Sequence, residues 1–230
     1  MNSLAARLMR GLYAIIDLGT LDALEADVVL FGQALLAAKP AALQLRAKDA
    51  SARRVLSLLR ALLPACRAAG VPLVINDRPD YAALAGCDLV HVGQTDMSAT
   101  RSRALAPSVG VGVSTHDSEQ LERAIGDHPS YIAFGPVYET RTKTDSEPVV
   151  GLSALRAVYE RTRDEAIPLV AIGGITRDRV RDVAPFCDAI AVIAALVPPG
   201  SPFDAGWYES IARGASELSE TIQTSAKHAS

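Results

Sequence analysis

The residues AALQLRAKDASARRVLSLLRALLPACRAAGVPLVIN, numbered 41–76, contain the pattern on which the whole chain is built. Residues 41–46 and 72–76 are short apolar runs of the kind that form buried strands. Between them, residues 51–69 carry apolar side chains at helical spacing, and one face of this segment contains Val55, Leu58, Leu59, Leu62 and Leu63. Gly70 follows as a helix stop signal. A strand, a helix and a strand in this order predict parallel strands joined by a right-handed crossover.

The same alternation extends in both directions along the chain. Short apolar runs lie at 12–17, 41–46, 72–76, 88–92, 109–113, 130–135, 168–172 and 188–193. Eight such runs, separated by helix-period segments such as 21–39 and 152–163, predict an α/β fold of the (β/α)₈ TIM barrel type. A doubly wound open sheet is the alternative, but Leu18-Gly19-Thr20 after the first run lacks a dinucleotide-binding glycine pattern. We expect one domain over 1–230, with a tail that frays from about residue 215.

Composition narrows the classes of function. The chain of 230 residues is 49% hydrophobic and carries a net charge of −3, which gives no global attraction to nucleic acid or to an acidic membrane. No uninterrupted apolar run reaches the roughly 18 residues that a membrane span needs. Cys66, Cys87 and Cys187 are scattered, so we expect free buried thiols and a cytoplasmic protein. The sequence leaves the oligomeric state open, and a homo-oligomer is compatible with it.

Polar residues gather where the predicted strands end. In a barrel, all these positions face one mouth. Each also has a purely structural interpretation: Gln44 and Arg46 could form a polar layer inside the barrel, Asp77 and Asp96 could cap helices, and His91 suits a hydrogen-bonded core histidine. The residues concerned are Gln44, Arg46, Lys48, Asn76, Asp77, His91, Gln94, Asp96, Ser114, His116, Gly173 and Gly174.

The segment GPVYETRTK, residues 135–143, contributes the largest cluster of hydrogen-bond donors. It follows the sixth apolar run, and a Gly-Pro turn interrupts the strand there. Its end carries Thr140, Arg141, Thr142 and Lys143, two hydroxyls and two cations on an irregular loop. A solvated turn would explain this composition, and so would a cradle for an anion.

Together these residues predict a phosphate-handling site. Cations mixed with the carboxylates Asp77 and Asp96 suggest Mg²⁺ that bridges protein and phosphate, because Mg²⁺ typically takes one or two carboxylates. The Gly173-Gly174 turn would hold a separate phosphate through its backbone. The inferred substrates are one diphosphate and one monophosphate. A nucleophile–base pair is not evident, since Ser114 and His116 are only neighbours on one strand end.

Six motifs in this order resemble the thiamine phosphate synthase family. They span roughly residues 13–196 and are QLRAK at 44–48, INDRPD at 75–80, HVGQTD at 91–96, GVSTH at 112–116, TRTK at 140–143 and AIGGI at 171–175. The resemblance implies a transferase of thiamine biosynthesis that joins a hydroxymethylpyrimidine diphosphate to a hydroxyethylthiazole phosphate and releases diphosphate.

The resemblance also implies roles for individual residues. Asp77 and Asp96 would hold Mg²⁺, and Lys143, Arg46 and Ser114 would serve catalysis. The pyrimidine diphosphate would contact Gln44, Arg46, Lys48, Asn76, Ser114 and Lys143. The thiazole phosphate would lie against Thr140, Arg141, Thr142, Gly174, Ile193 and Ala194.

One departure and two rival interpretations remain. Ala194 stands where the family usually has a hydroxyl residue, so a phosphate contact there would use backbone alone. A thiazole tautomerase, a similar barrel without a diphosphate substrate, would need a proton-transfer residue, and His116 is the candidate. A non-catalytic binding homologue is the other rival, although the charged residues of all six motifs are present.

Overall fold

The computed structural model describes residues 9–140 and 147–227, and it forms a closed barrel of parallel strands in the order β1 to β8. This confirms the predicted (β/α)₈ barrel. The strands are β1 (Gly11–Asp17), β2 (Ala42–Arg46), β3 (Leu73–Asn76), β4 (Leu89–Val92), β5 (Gly110–Thr115), β6 (Tyr131–Phe134), β7 (Leu169–Ile172) and β8 (Ala189–Val192).

Helices follow the strands around the outside of the barrel. They are α1 (Leu18–Ala23), α2 (Val28–Leu36), α3 (Ala52–Ala69), α4 (Pro79–Ala85), α5 (Ala99–Leu105), α6 (Ser118–Gly126), α7 (Gly151–Asp164), α8 (Val180–Val183) and α9 (Trp207–Lys227). Short 3₁₀ turns lie at Arg177–Arg179, Ala184–Phe186 and Ala194–Leu196. Helix α3 starts where Ser51 accepts a hydrogen bond from the Arg54 amide, and it stops at Gly70, whose φ of 68° places it in the left-handed region.

Two apolar clusters hold the barrel together. Leu43 and Leu45 of β2 belong to the cluster between strands and helices, whereas Ala42 belongs to the barrel interior with Val74, Ala133 and other inward side chains. Alternation along the strand therefore points Gln44 inward, because it lies between Leu43 and Leu45. The parallel register places the carboxyl ends of neighbouring strands side by side. Asp17 lies beside Arg46, and Asn76 lies beside His91.

The carboxyl-terminal segment corrects one expectation. The sequence predicted fraying from about residue 215, but α9 continues to Lys227. Its Ile211, Ala215, Leu218 and Ile222 recur at helical spacing and are all buried. The serine- and threonine-rich composition concealed this stripe, although one of those residues, Ser219, is itself buried. At its start, the Trp207 ring lies 6.1 Å from the Phe31 ring of α2.

Two further expectations concern cysteines and membranes. Cys66, Cys87 and Cys187 are free and buried. Burial raises the pKa of the Cys66 and Cys87 thiols to about 12, so neither is a reactive thiolate at neutral pH. Within residues 9–140 and 147–227, no helix has the length and apolar character to cross a bilayer.

Candidate active site

Two carboxyl groups lie near each other at the carboxyl ends of β3 and β4. Asp77 follows β3 and Asp96 follows β4, and the two side chains are close enough to interact electrostatically. Burial first, and then the neighbouring Asp96, raises the pKa of Asp77 to about 6. Lys48 opposes this shift, with its Nζ atom 3.9 Å from the Asp77 carboxylate. The positive charge of Lys48 therefore does not fully offset the two carboxyl groups.

Neither carboxylate caps a helix. Arg78 is the cap residue of α4, which has no side-chain capping bond, and Ser98 caps α5 by accepting from the Arg101 amide. Asp77 has a φ of 65°, in the left-handed region that aspartate adopts at a cost, and its amide donates to the His91 carbonyl at 2.7 Å. Asp96 accepts from the Gly93 amide at 2.8 Å. The helix-cap interpretation of both residues is therefore wrong.

Arg46 is held by a partner that the sequence analysis did not select. Its Nη1 donates to Asp17, which ends β1 directly beside it. Asp17 also accepts from the Thr20 amide at 3.1 Å, so its carboxylate caps α1 as well as orienting the guanidinium. The sequence did contain a signal for this pair. Asp17 is the last residue of the first predicted strand, and Arg46 is the last residue of the second.

Gln44 and Ser114 are buried, whereas Asn76 is half-buried. Gln44 donates to the Asn76 side chain at 2.6 Å, and Ser114 lies 2.8 Å from Nε2 of His91. Gln44 is 2% exposed and Ser114 is 4% exposed. The polar-layer interpretation of Gln44 is thus confirmed, and so is that of His91 as a hydrogen-bonded core residue. Asn76 and Ser114 also belong to positions that face the mouth.

On the other side of the mouth, a cavity of about 630 Å³ lies between the ends of β5 to β8. Its wall includes Thr140, Gly174, Ile193 and Ala194, all of which the sequence analysis assigned to the thiazole phosphate, and also His116. Gly173 and Gly174 have φ values of 100° and 61°. A Cβ on Gly174 would lie 2.3 Å from the Glu139 carbonyl oxygen, so only glycine fits this close approach.

Two arginines on this cavity were missed by the sequence analysis. Arg177 donates to the Ala195 carbonyl at 3.2 Å, and Arg179 donates to the Gly174 carbonyl at 3.0 Å. The Arg179 guanidinium also lies over the Tyr138 ring, 4.3 Å from its centre. Their position directly after a Gly-Gly turn was the available signal.

Arg141, Thr142 and Lys143 lie outside the described residues. The roles assigned to these three residues from the sequence therefore stay predictions.

The carboxylate pair suits a hard divalent cation. In the described part of the chain, no group of three or more histidine, cysteine, aspartate or glutamate side chains converges. A pair of carboxylates matches the chemistry of Mg²⁺, which takes one or two of them and completes its shell with phosphate oxygens and water. The raised pKa of Asp77 indicates the same need for positive charge.

Comparison with known proteins agrees with these features. A family model described as thiamine monophosphate synthase matches residues 12–196. The thiamine-phosphate synthase of Koribacter versatilis is 44% identical over 194 residues, covering 81% of this chain and 88% of that protein. That of Chloroflexus aurantiacus is 36% identical over 187 residues, covering 81% and 84%. The structure of thiamine phosphate pyrophosphorylase from Pyrococcus furiosus superposes with a TM-score of 0.80 at 27% identity, covering 95% of this chain and 98% of that one.

The extent of these matches confirms both the resemblance noted in the motifs and the enzyme class that it implied. The chain belongs to the thiamine monophosphate synthase family, and it is a transferase of thiamine biosynthesis.

Proposed function

We propose that this protein joins a hydroxymethylpyrimidine diphosphate to a hydroxyethylthiazole phosphate in the presence of Mg²⁺, forming thiamine phosphate and releasing diphosphate. The observation that carries the proposal is the Asp77–Asp96 pair, with Lys48 beside it, at the same strand ends as a glycine-built cavity. The carboxylate pair with Lys48 suits a metal-bound diphosphate, and the glycine-built cavity suits a separate phosphate.

In the reaction, the bond between the pyrimidine methylene carbon and the diphosphate oxygen breaks, and the diphosphate keeps the electron pair. The thiazole nitrogen then donates its lone pair to the same carbon. Mg²⁺ held by Asp77 and Asp96 would supply positive charge for the departing diphosphate. Arg46, Lys48 and Lys143 would add preplaced cations, which stabilise the charge that builds on the leaving oxygens.

The remaining residues hold the two substrates in line. Gln44, Asn76 and Ser114 would orient the pyrimidine from below, since all three lie at the base of the mouth. Thr140, Arg141 and Thr142, with Gly174, Ile193 and Ala194, would hold the thiazole phosphate. Ala194 has no hydroxyl, so recognition there would use backbone amides. Holding both partners close replaces a bimolecular encounter with a local one.

The test is a product assay with the purified full chain. The two substrates and Mg²⁺ are mixed, and thiamine phosphate and diphosphate are measured by chromatography. We expect equal amounts of both products, and none when either substrate is omitted or a chelator is added. If no product forms while the substrates still raise the melting temperature, the protein is a binding homologue and the proposal fails.

A second candidate has one observation in its favour. Nδ1 of His116 lies 2.5 Å from the Gly135 carbonyl and must donate to it, which leaves Nε2 as the basic nitrogen of a residue that lines the cavity. This arrangement suits proton transfer on a thiazole phosphate alone, as in a tautomerase. Isomerisation of that substrate without any diphosphate present, lost in His116→Gln, would establish it.

The cytoplasmic location and a homo-oligomeric state also belong to this proposal. A location is tested by fractionation of cells that express the full chain, and the assembly state by light scattering.

A further inference from the structure

A chain of hydrogen bonds crosses the barrel interior directly below the mouth. From one end to the other, the distances are 2.8, 2.9, 2.8, 2.6 and 2.6 Å. The chain connects side chains from six different strands. In order, the members are Ser114, His91, Tyr131, Tyr13, Gln44 and Asn76.

The fold makes specific room for this chain. Tyr13 and Tyr131 are 1% and 0% exposed, and burial raises the pKa of both phenols, so both remain protonated. A Cβ on Gly112 would lie 2.0 Å from the Tyr131 ring, so the glycine leaves the space that the ring occupies. The His91 and Tyr131 rings stack at 5.6 Å with an angle of 13° between them.

The direction of the chain follows from counting protons. Nε2 of Gln44 points at the side-chain oxygen of Asn76, and the Asn76 side chain lowers the pKa of Asp77, as an amide nitrogen beside a carboxylate does. Gln44 therefore donates to Asn76 and accepts the single proton of Tyr13. The Tyr13 oxygen must then accept from Tyr131.

The same count continues to Ser114. Because the Tyr131 proton is used on Tyr13, Nδ1 of His91 must donate to the Tyr131 oxygen. In the neutral imidazole, Nε2 is then the acceptor, and it takes the proton of the Ser114 hydroxyl. Each hydrogen bond between Ser114 and Asn76 thus has one direction, with the donor on the Ser114 side and the acceptor on the Asn76 side.

We propose that Tyr13, Tyr131 and His91 are positioning residues that fix the hydrogen-bonding roles of Ser114 and Asn76 towards the substrate. A free serine hydroxyl can donate or accept, but here only the Ser114 lone pairs are left for a ligand. Ser114 therefore selects a pyrimidine that presents an N–H donor to it. This inference rests on the proposed function, because it concerns the pyrimidine half of that reaction.

Tyr131→Phe breaks the middle of the chain while keeping the ring. His91 loses its acceptor and Tyr13 loses its donor, so Ser114 regains rotational freedom. We expect kcat/KM for the pyrimidine diphosphate to fall about tenfold, with the KM for the thiazole phosphate within twofold of the wild-type value. Thr115→Val is the matched control, because its buried hydroxyl lies on β5 next to Ser114, donates to the Ala133 carbonyl at 3.3 Å and takes no part in this chain of hydrogen bonds. It should keep kcat/KM within twofold.

A double-mutant cycle separates positioning from general structural damage. If Tyr131 acts through Ser114, the double variant Tyr131→Phe with Ser114→Ala loses no more than twofold beyond Ser114→Ala alone. The proposal would be overturned if the double variant lost the product of the two single-variant losses in kcat/KM. It would also be overturned if Tyr131→Phe left kcat/KM unchanged. If Tyr131→Phe does not fold, Tyr13→Phe serves in the same cycle with the same criteria. A wild-type protein that forms no thiamine phosphate would instead refute the proposed function.

Discussion

At the mouth of the barrel, side chains provide the functional groups on one side, whereas backbone groups provide most of them on the other. The side-chain half comprises Asp17, Gln44, Arg46, Lys48, Asn76, Asp77, Asp96 and Ser114, at the ends of β1 to β5. The backbone half comprises Gly135, Gly173, Gly174, Ile193 and Ala194, at the ends of β6 to β8. Fixed charges suit a diphosphate with its metal, and close-packed amides suit a single phosphate.

The two halves also respond differently to substitution. A side chain in the first half can be replaced by an isostere, which removes charge and little else. A glycine in the second half cannot be replaced without moving backbone, since a Cβ on Gly173 would lie 2.4 Å from Cα of Pro136. Substitutions can therefore test each half separately.

The largest effect is expected from Asp77→Asn. Asparagine tolerates the φ of 65° at this position, so the variant should fold while losing an anionic metal ligand. We expect kcat to fall about 10²- to 10³-fold, the usual loss when one electrostatic group of a transition state is removed. Steady-state rates at saturating Mg²⁺ measure this. A rate within fivefold of wild type would mean that the metal does not rely on the side-chain half.

Lys143→Ala comes next. Lys143 is the last residue of the TRTK motif, and the family resemblance assigns it to the diphosphate. Loss of a charge-assisted contact of about 1.5–3 kcal/mol should lower kcat/KM by about 10- to 150-fold. Less than a threefold loss in steady-state rates would remove this residue from the site and return the loop to a solvated turn.

Gly174→Ala tests the backbone half. The new Cβ would meet the Glu139 and Tyr138 carbonyl oxygens at 2.3 and 2.7 Å, and φ is 61°. We expect about 1–3 kcal/mol of lost stability and a KM for the thiazole phosphate raised about tenfold. The KM for the pyrimidine diphosphate should not change. Gly126→Ala is the control, because nothing lies within 4 Å of its Cβ position. An equal rise in both KM values would show that the halves are not separable.

This contrast explains what the sequence could predict. Strand–helix alternation was enough for the barrel, because period and length are local properties. Asp77, Asp96 and Lys48 could be selected because charged residues after buried strands have few structural uses. The approach of Gly174 to the Glu139 carbonyl could not be derived, since it depends on the distance between two loops remote in sequence. The role of Tyr13 and Tyr131 could not be predicted for another reason. Both tyrosines lie within apolar strands, where a tyrosine is usually a core residue.

A smaller effect should appear in the pH dependence of stability. The pKa of Asp77 in the folded protein is about 6, above that of an unfolded aspartate, so the folded state binds more protons. Without a divalent cation, stability should therefore fall as pH rises from about 4 to about 6. Mg²⁺ at about ten times its Kd should restore about 1.4 kcal/mol, or about 3–6 °C in Tm, at pH 7.5.

At pH 5, protons compete for the carboxylates, and the Mg²⁺ effect on Tm should shrink. Thermal melts at both pH values, with Mg²⁺ and with a chelator, measure the difference. Asp77→Asn should abolish the pH dependence of the Mg²⁺ effect. A Tm that rises equally at pH 5 and pH 7.5 would contradict a metal bound to this pair.

Ala194→Ser should give the smallest change, and in the favourable direction. Ala194 lines the cavity on the 3₁₀ turn after β8, next to the turn that contains Gly174. A hydroxyl there would add a side-chain donor next to the backbone groups of the Gly173-Gly174 turn. One new hydrogen bond of about 0.5–1.5 kcal/mol should lower the KM for the thiazole phosphate by about 2- to 12-fold. The dephosphorylated thiazole is the control substrate, and its KM should not change. If both thiazoles improved equally, the hydroxyl would contact the ring, and the phosphate would have to lie elsewhere in the cavity.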